Sequence, residues 1–422
     1  MSELKEYKLN ELYVMSSGIS SSKNQAGSGY PFVSFRDIFN NTFLPENLTE
    51  LMNTSDTDRI KYSVKKGDVF ITRTSETPDE LAMSSVALKD YPNATFSGFA
   101  KRLRPIDNKK VYDKYMAFYF RSKYFRKIVN ANTIMTLRAS FNEEIFSYIK
   151  IQIPDYDTQV KIGDMLYKIE KKILINNQIN NNLEELMKTI YQRWFIEFEF
   201  PNEEGKPYKS NSGKLAYNEE LKSKIPENWK VVNINEISDF ITGYAFTSDT
   251  YCNDGRYKLY TIKNVQDGNI VSNVDNTIEK LPFNLPYECI LKPKDLIMSL
   301  TGNVGRVGLV YENQVLLNQR LLKIKQKNNL SYLYSLFRND YIKNKCESIS
   351  TGTSQKNLSP VELGKVKVAY SIKIVDKFEE KCSALIETFI NNLEENQRLK
   401  SLKEFILPLL MNGQINVDDI EI

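Results

Sequence analysis

The chain contains no histidine in 422 residues. That absence removes Ser-His-Asp and Cys-His nucleophile machinery, imidazole general bases and His-ligated zinc together. Cysteine is sparse: Cys252, Cys289, Cys346 and Cys382 stand far apart, with no C-x-x-C pair. A disulfide framework or a cysteine-rich zinc site is therefore not expected, and reduced thiols in the cytoplasm are the simplest reading. No stretch approaches the roughly 20 apolar residues of a membrane span. The opening MSELKEYKLN lacks the apolar segment of a signal peptide. No two prolines are adjacent, so the N/D-P-P-Y/F loop of amino-methyltransferases is missing. TGNVGRVGLV, residues 301–310, has no G-K-[ST] and lacks dinucleotide-loop spacing, so it reads as a hairpin turn and not a phosphate loop. The acidic residues are scattered, without the cluster a carboxylate-based metal nuclease needs. These gaps leave room for carboxylate-based or Lys-based catalysis only, and they weigh against an enzyme without excluding one.

What is present fits a globular chain of about two or three domains. Apolar residues make up 41% and charged residues 26%. The formal charge of +4 permits nucleic-acid binding without requiring it, since a local basic face matters more than the sum.

The chain repeats itself with a period of about half its length, which indicates duplication. ILINNQINNNLEEL (residues 173–186) aligns without gaps to FINNLEENQRLKSL (389–402) at a shift of 216. IFSYIKIQIP (145–154) resembles ELGKVKVAYS (362–371), and both alternate apolar and polar residues as strands do. YPFVSFRDI (30–38) resembles YKLYTIKNV (257–265), and KGDVFITRT (66–74) resembles PKDLIMSLT (293–301). LNELYVMSSG (9–18) resembles INEISDFITG (234–243). The matches keep one order, and their shifts drift only by small insertions. Helical stretches are expected at 114–129 and 330–345. The predicted plan is globule, long helix, linker, globule, long helix.

Both long helices carry a heptad seam. In the first it runs Ile162, Leu166, Ile169, Ile173, Asn176, Asn180, Leu183, Met187, Ile190 and Trp194. In the second it runs Phe378, Cys382, Leu385, Phe389, Asn392, Asn396, Leu399, Lys403, Ile406 and Leu410, where Leu402 is expected to cover the departure at Lys403. The same two central positions are Asn in each. If the helices pair antiparallel, Asn176 faces Asn396 and Asn180 faces Asn392. Buried amides cost stability but penalise other registers, where they would lie against Leu or Ile unpaired. A helix of about 33 residues spans about 50 Å, enough to hold two similar readers over grooves about one DNA turn, roughly 34 Å, apart.

Candidate DNA contacts are the basic and amide residues beside strands and turns. In the first globule these are Arg36, Arg73, Lys101, Arg102, Arg104 and Arg138. In the second they are Lys263, Asn264, Asn303, Arg306, Gln319 and Arg320, with Thr353, Ser354, Gln355 and Lys356 of the TGTSQKN loop. Arg, Lys, Asn and Gln make bidentate contacts to base edges, while hydroxyls and backbone amides hold phosphates. The alignment matches Arg36 with Lys263, and Arg102 with Gln319–Arg320.

The whole order resembles the specificity subunit of type I restriction-modification enzymes. The resemblance rests on the duplicated globule-helix plan, YQRWF (191–195), IPENWKVVNINEI (225–237), STGTSQKNLS (350–359) and LKEFILPLLMNGQI (402–415). The first globule departs from it: IMTLRAS (134–140) lacks the glycine of its counterpart loop. The fold class expected is α+β: two mixed α/β target recognition domains related by duplication, and two long antiparallel helices forming a coiled coil. The expected boundaries are 1–155 and 226–371 for the two domains, 156–198 and 372–415 for the helices, and 199–225 for the linker.

The resemblance implies that each domain reads half of a split double-stranded DNA site. It implies that the helices dock two modification subunits, which hold S-adenosylmethionine and methylate adenine. It further implies that restriction subunits, using ATP and Mg, join to cut unmodified DNA, and that this chain holds no catalytic residue. A specificity subunit of a methyltransferase-only complex is the neighbouring alternative. A two-armed protein scaffold is the alternative from another class; its binding would be insensitive to salt, whereas phosphate contacts release counterions.

Overall fold

The computed structural model describes residues 4–20, 23–75, 81–132, 139–353 and 355–420. The chain divides into two compact units: residues 1–173 with 398–422, and residues 174–397. Each long helix thus contributes one end to each unit.

In the first unit the polypeptide enters and leaves through one antiparallel ribbon. Lys5–Lys8 pairs with Lys150–Ile153, in the register Lys5 to Ile153. Beyond it lies a four-stranded antiparallel sheet in the order Tyr13–Ser17, Ala100–Pro105, Val69–Thr72, Ser84–Val86. Val69, Phe70, Ile71 and Leu103 are fully buried in it. A smaller sheet pairs Ala26–Val33 in parallel with Thr95–Phe96. Two helices, Asp113–Arg121 and Lys123–Ala131, pack Tyr115, Tyr119, Phe120 and Phe125 into the same core.

The second unit repeats the ribbon and the four-stranded sheet, while its smaller sheet has five strands where the first unit's has three. Lys230–Asn233 pairs with Lys367–Tyr370. The four-stranded sheet runs Asp239–Thr242, Leu321–Lys325, Leu296–Ser299, Val307–Leu309, again antiparallel throughout. Tyr257–Tyr260 pairs in parallel with Val315–Leu317. Even the tightest point recurs. A Cβ on Gly18 would press into the carbonyl oxygen of Ser97, and one on Gly243 into that of Asn318. Only a residue without a side chain lets the two backbones meet there.

Each expected single helical stretch is two helices. The breaks fall at equivalent residues. The Ser122 hydroxyl accepts from Phe125 N at 3.2 Å, and the Asn339 amide oxygen accepts from Tyr341 N at 2.9 Å. Each side chain caps the helix that follows, which ends the one before. The stretch 199–225, expected as a linker, is folded into the second unit. Phe200 stacks on Tyr208 with centroids 4.6 Å apart, Ile225 is buried, and Leu215–Asn218 forms a hairpin with Ser223–Pro226.

The long helices span Tyr156–Tyr191 and Ile372–Met411. The first is started by Asp155, whose carboxylate accepts from Thr158 N at 3.0 Å and Thr158 Oγ1 at 2.8 Å. Within the first unit Ile162, Leu166, Ile169 and Ile173 share a core with Ile406, Leu410 and Met411. There Leu402 packs against this core beside Lys403, whose Nζ reaches Glu170 Oε2 at 2.6 Å. Within the second unit Met187 and Ile190 share a core with Phe378, Cys382, Ile386, Phe389 and Ile390.

The seam amides lie in the second unit. Asn176 Nδ2 donates to Asn396 Oδ1 at 3.1 Å and to Glu395 Oε2 at 2.7 Å. Asn396 Nδ2 donates in turn to Asn177 Oδ1 at 2.9 Å. Asn392 Nδ2 donates to Asn180 Oδ1 at 2.9 Å, and Asn180 Nδ2 to the Phe389 carbonyl at 3.0 Å. Asn176, Asn180 and Asn396 are buried. Their donors find partners, which is the condition under which buried amides are tolerable.

Candidate functional site

Two loops of the second unit meet edge to edge. Thr301 and Thr351 both bridge to Asn357. Gly302 N donates to the Lys356 carbonyl at 3.0 Å, and Leu358 N to the Leu300 carbonyl at 2.8 Å. Gly352, at φ +97°, closes the second loop; a Cβ there would collide with the Gln355 carbonyl. With the helix Asp340–Ile349 as a further wall, the loops border an open groove of about 610 Å³.

Five of the residues expected from the sequence line this groove: Asn303, Arg306, Thr353, Gln355 and Lys356. Lys343, Glu347 and Asp267 line it too. Arg306 Nη1 donates to Gln266 Oε1 at 3.0 Å. Lys343 Nζ contacts Asp267 Oδ2 at 2.8 Å, and Lys356 Nζ lies 3.5 Å from Glu347 Oε2. Such partly exposed pairs hold their partners weakly. An oxyanion ligand can therefore take the cations from their carboxylates. Cations, amides and a hydroxyl around one concavity make a surface for phosphate and base-edge hydrogen bonds. Among the described residues no group of His, Cys, Asp or Glu side chains gathers that could hold a metal.

Lys343 escaped the sequence reading because it sits in an amphipathic helical stretch. Its signal was the spacing of four residues to Glu347, which puts both on one helix face.

The other candidates are placed differently. Lys263 is exposed and pairs with Asp275 at 2.6 Å. Asn264 is buried and is not a contact residue. Its Nδ2 donates to the Val271 and Asn273 carbonyls, both at 2.8 Å, and its Oδ1 accepts from Thr261 N at 2.9 Å. It shapes the turn from within. Gln319 and Arg320 are exposed on a turn. Ser354 lies outside the described residues, as does Arg138 in the first unit.

In the first unit Arg36 is exposed in the first turn of the helix Phe35–Asn40, which Ser34 caps. Arg73 is exposed as the sheet strand ends. Lys101 and Arg102, however, point into the protein. Lys101 Nζ donates to Ser17 Oγ at 2.8 Å and pairs with Glu143 Oε1 at 2.5 Å. This ammonium holds the Glu143 carboxyl below the usual range. Arg102 donates to the Ser63 carbonyl at 2.5 Å and lies over the Phe96 ring. Burial, with the like charge of Arg104, lowers its pKa. Arg104 forks onto buried Asp68 at 2.7 and 2.6 Å. The strand Ala100–Pro105 has its first four residues buried, so alternation sends no side chain of that stretch to solvent.

Strand register also corrects the alignment. Ala100 pairs with Thr72, and Leu321 with Ser299. Arg102 is thus the counterpart of Lys323, whose Nζ meets Asp295 at 2.7 Å. Gln319 and Arg320 correspond to Gly98 and Phe99.

Comparison with known proteins places the chain among sequences of one kind. The model of the type I restriction modification DNA specificity domain matches the chain twice, at residues 1–185 and 226–404. The specificity subunit of the type I restriction enzyme MjaIX of Methanocaldococcus jannaschii is 24% identical, over 94% of this chain and 89% of that one. The HindI specificity subunit of Haemophilus influenzae is 22% identical, over 98% and 100%. Among solved structures, the type I restriction-modification S subunit from M. genitalium has the same fold, with a TM-score of 0.60 at 13% identity over 97% and 96% of the chains.

Proposed function

The chain belongs to the type I restriction modification DNA specificity family and is a non-catalytic specificity subunit, and from that premise we propose that it reads a bipartite double-stranded DNA site. Each unit takes one half-site. The long helices set the number of base pairs between the halves, with the amide pairs Asn176–Asn396 and Asn180–Asn392 fixing their register. Two modification subunits, holding S-adenosylmethionine, methylate adenine where this chain places them. Restriction subunits, using ATP and Mg, join for cleavage.

What supports this reading is the duplication itself: one sheet order built twice, with the second copy carrying a groove of cations and amides suited to a nucleic-acid backbone. Lys343 and Lys356 fit phosphate contacts, which set affinity and salt dependence. Asn303, Arg306 and Gln355 fit base edges.

Mapping methylated adenines across a genome, with and without this chain, tests the proposal. The expected result is a two-part motif present only with the chain. Deleting one turn from both helices should alter the gap and leave the half-sites as they were. A one-part motif, or a gap that stays fixed, overturns the reading.

A further inference from the structure

One turn is built twice with the same hydrogen bonds and opposite chemistry at its tip. In the first unit it is Ser97-Gly98-Phe99. Gly98 N donates to the Ile19 carbonyl at 2.8 Å, Ala100 N to the Ser97 carbonyl at 3.0 Å, and Arg73 N to the Phe99 carbonyl at 2.8 Å. In the second it is Asn318-Gln319-Arg320. Gln319 N donates to the Tyr244 carbonyl at 2.9 Å, Leu321 N to the Asn318 carbonyl at 2.9 Å, and Leu300 N to the Arg320 carbonyl at 2.9 Å. The cap inside the turn is duplicated too. Phe99 N donates to Ser97 Oγ at 3.2 Å, and Arg320 N to Asn318 Oδ1 at 3.3 Å. Every backbone donor has a counterpart, so neither tip is a floppy loop.

The tip side chains are what differ. Phe99 is 68% exposed, whereas Phe70, Phe96 and Phe118 in the same unit are buried. Gln319 and Arg320 are also exposed. A turn held this firmly has no structural need for a phenyl ring in water, and none for a guanidinium at the same backbone position. We propose that this turn is a base-reading head in each unit. Arg320, with Gln319 beside it, recognises the hydrogen-bonding edge of a purine. Phe99 makes an apolar contact with a base, as a thymine methyl or an unstacked step offers.

The chemistry follows from the groups. A guanidinium forks onto guanine O6 and N7, and a carboxamide onto adenine N6 and N7. A phenyl ring can do neither, but it packs against the thymine methyl or wedges at a flexible step. The two half-sites therefore differ at the position each tip meets. This inference rests on the specificity-subunit reading above and adds the determinant within it.

The test uses the full chain with its modification subunits, and reads the methylated-adenine motif for Arg320→Ala, Arg320→Lys and Phe99→Ala. Arg320→Ala should relax one position of one half-site by about tenfold or more. Arg320→Lys should relax it as well, because an ammonium cannot form the fork. Phe99→Ala should relax one position of the other half-site. An unchanged motif in all three variants overturns the proposal while leaving the broader reading intact. So does a uniform loss at every site that Arg320→Lys rescues, which marks a phosphate contact. A wild-type chain that directs no methylation overturns both.

Discussion

The two units share a backbone and disagree about where to keep their cations. In the first, the sheet strand Ala100–Pro105 turns Lys101, Arg102 and Arg104 onto Ser17, Glu143, Ser63 and Asp68. In the second, the equivalent strand carries Leu322, Lys323 and Lys325, and the exposed cations sit on loops and on a helix. Duplication conserved what the fold requires: strand order, the ribbon that opens and closes each copy, and the helix break. It left the side chains that meet solvent open to change. Internal charge in the first unit is a packing device, whereas the groove charge of the second is available to a ligand.

The shared glycine gives the strongest way to break the equivalence. Gly18→Val and Gly243→Val should each cost about 3 kcal/mol, since backbone atoms cannot move aside. Hydrogen exchange should show the loss in the unit that carries the change and not in the other. Loss of protection in both units would mean that they do not fold independently.

The buried acids sharpen the contrast. Asp68 is fully buried, with a bidentate arginine and a bond from Lys65 N at 2.7 Å. Asp295 is less buried, with a lysine and a bond from Lys292 N at 2.8 Å. Asp68→Asn should cost about 3 kcal/mol and Asp295→Asn about 1, read by urea unfolding. The reverse order would show that the fork carries little.

A smaller effect separates the helix starts. In the second unit Glu379 accepts from Tyr332 N at 2.6 Å and Ser331 N at 3.2 Å, at the start of the helix Leu330–Arg338. Burial raises its pKa. The folded state therefore holds this proton to higher pH than the unfolded chain. Its contribution to stability is greatest below the unfolded carboxyl value and is lost as pH rises through the folded one. In the first unit the equivalent helix start packs on Gly163, where a Cβ would lie 2.6 Å from Tyr115 N. Glu379→Gln should flatten the pH dependence of unfolding between the acidic range and neutrality, in the second unit alone. A slope that survives this change belongs to other groups.

Much of this was legible in the residues. The seam put Asn176 opposite Asn396 and Asn180 opposite Asn392, because heptad spacing and antiparallel direction leave little choice of partner. Alternation showed the strands Lys150–Ile153 and Lys367–Tyr370, but it also took in the helices Glu143–Tyr148 and Pro360–Gly364 that lead into them. The inward turn of Lys101 and Arg102 did not show, because alternation says which residues share a face and not whether both faces are covered. The match of Arg102 to Gln319 failed by a few residues, since strand register depends on hydrogen bonds that similarity cannot count. Ser122 and Asn339 hid the helix breaks by looking like ordinary polar positions in an amphipathic run.

The first unit takes part of its core from chain made well after the rest of it. Ile406, Leu410, Met411 and Val417 are part of its core, and Asp418 holds Lys161 at 2.8 Å. During synthesis at about 5–20 residues per second, the opening domain waits for tens of seconds with one wall missing. The middle of the polypeptide can close during that interval. A ribosome that stalls before residue 398 would release a second half able to assemble and a first half with bare apolar surface, the species that chaperones and proteases recognise.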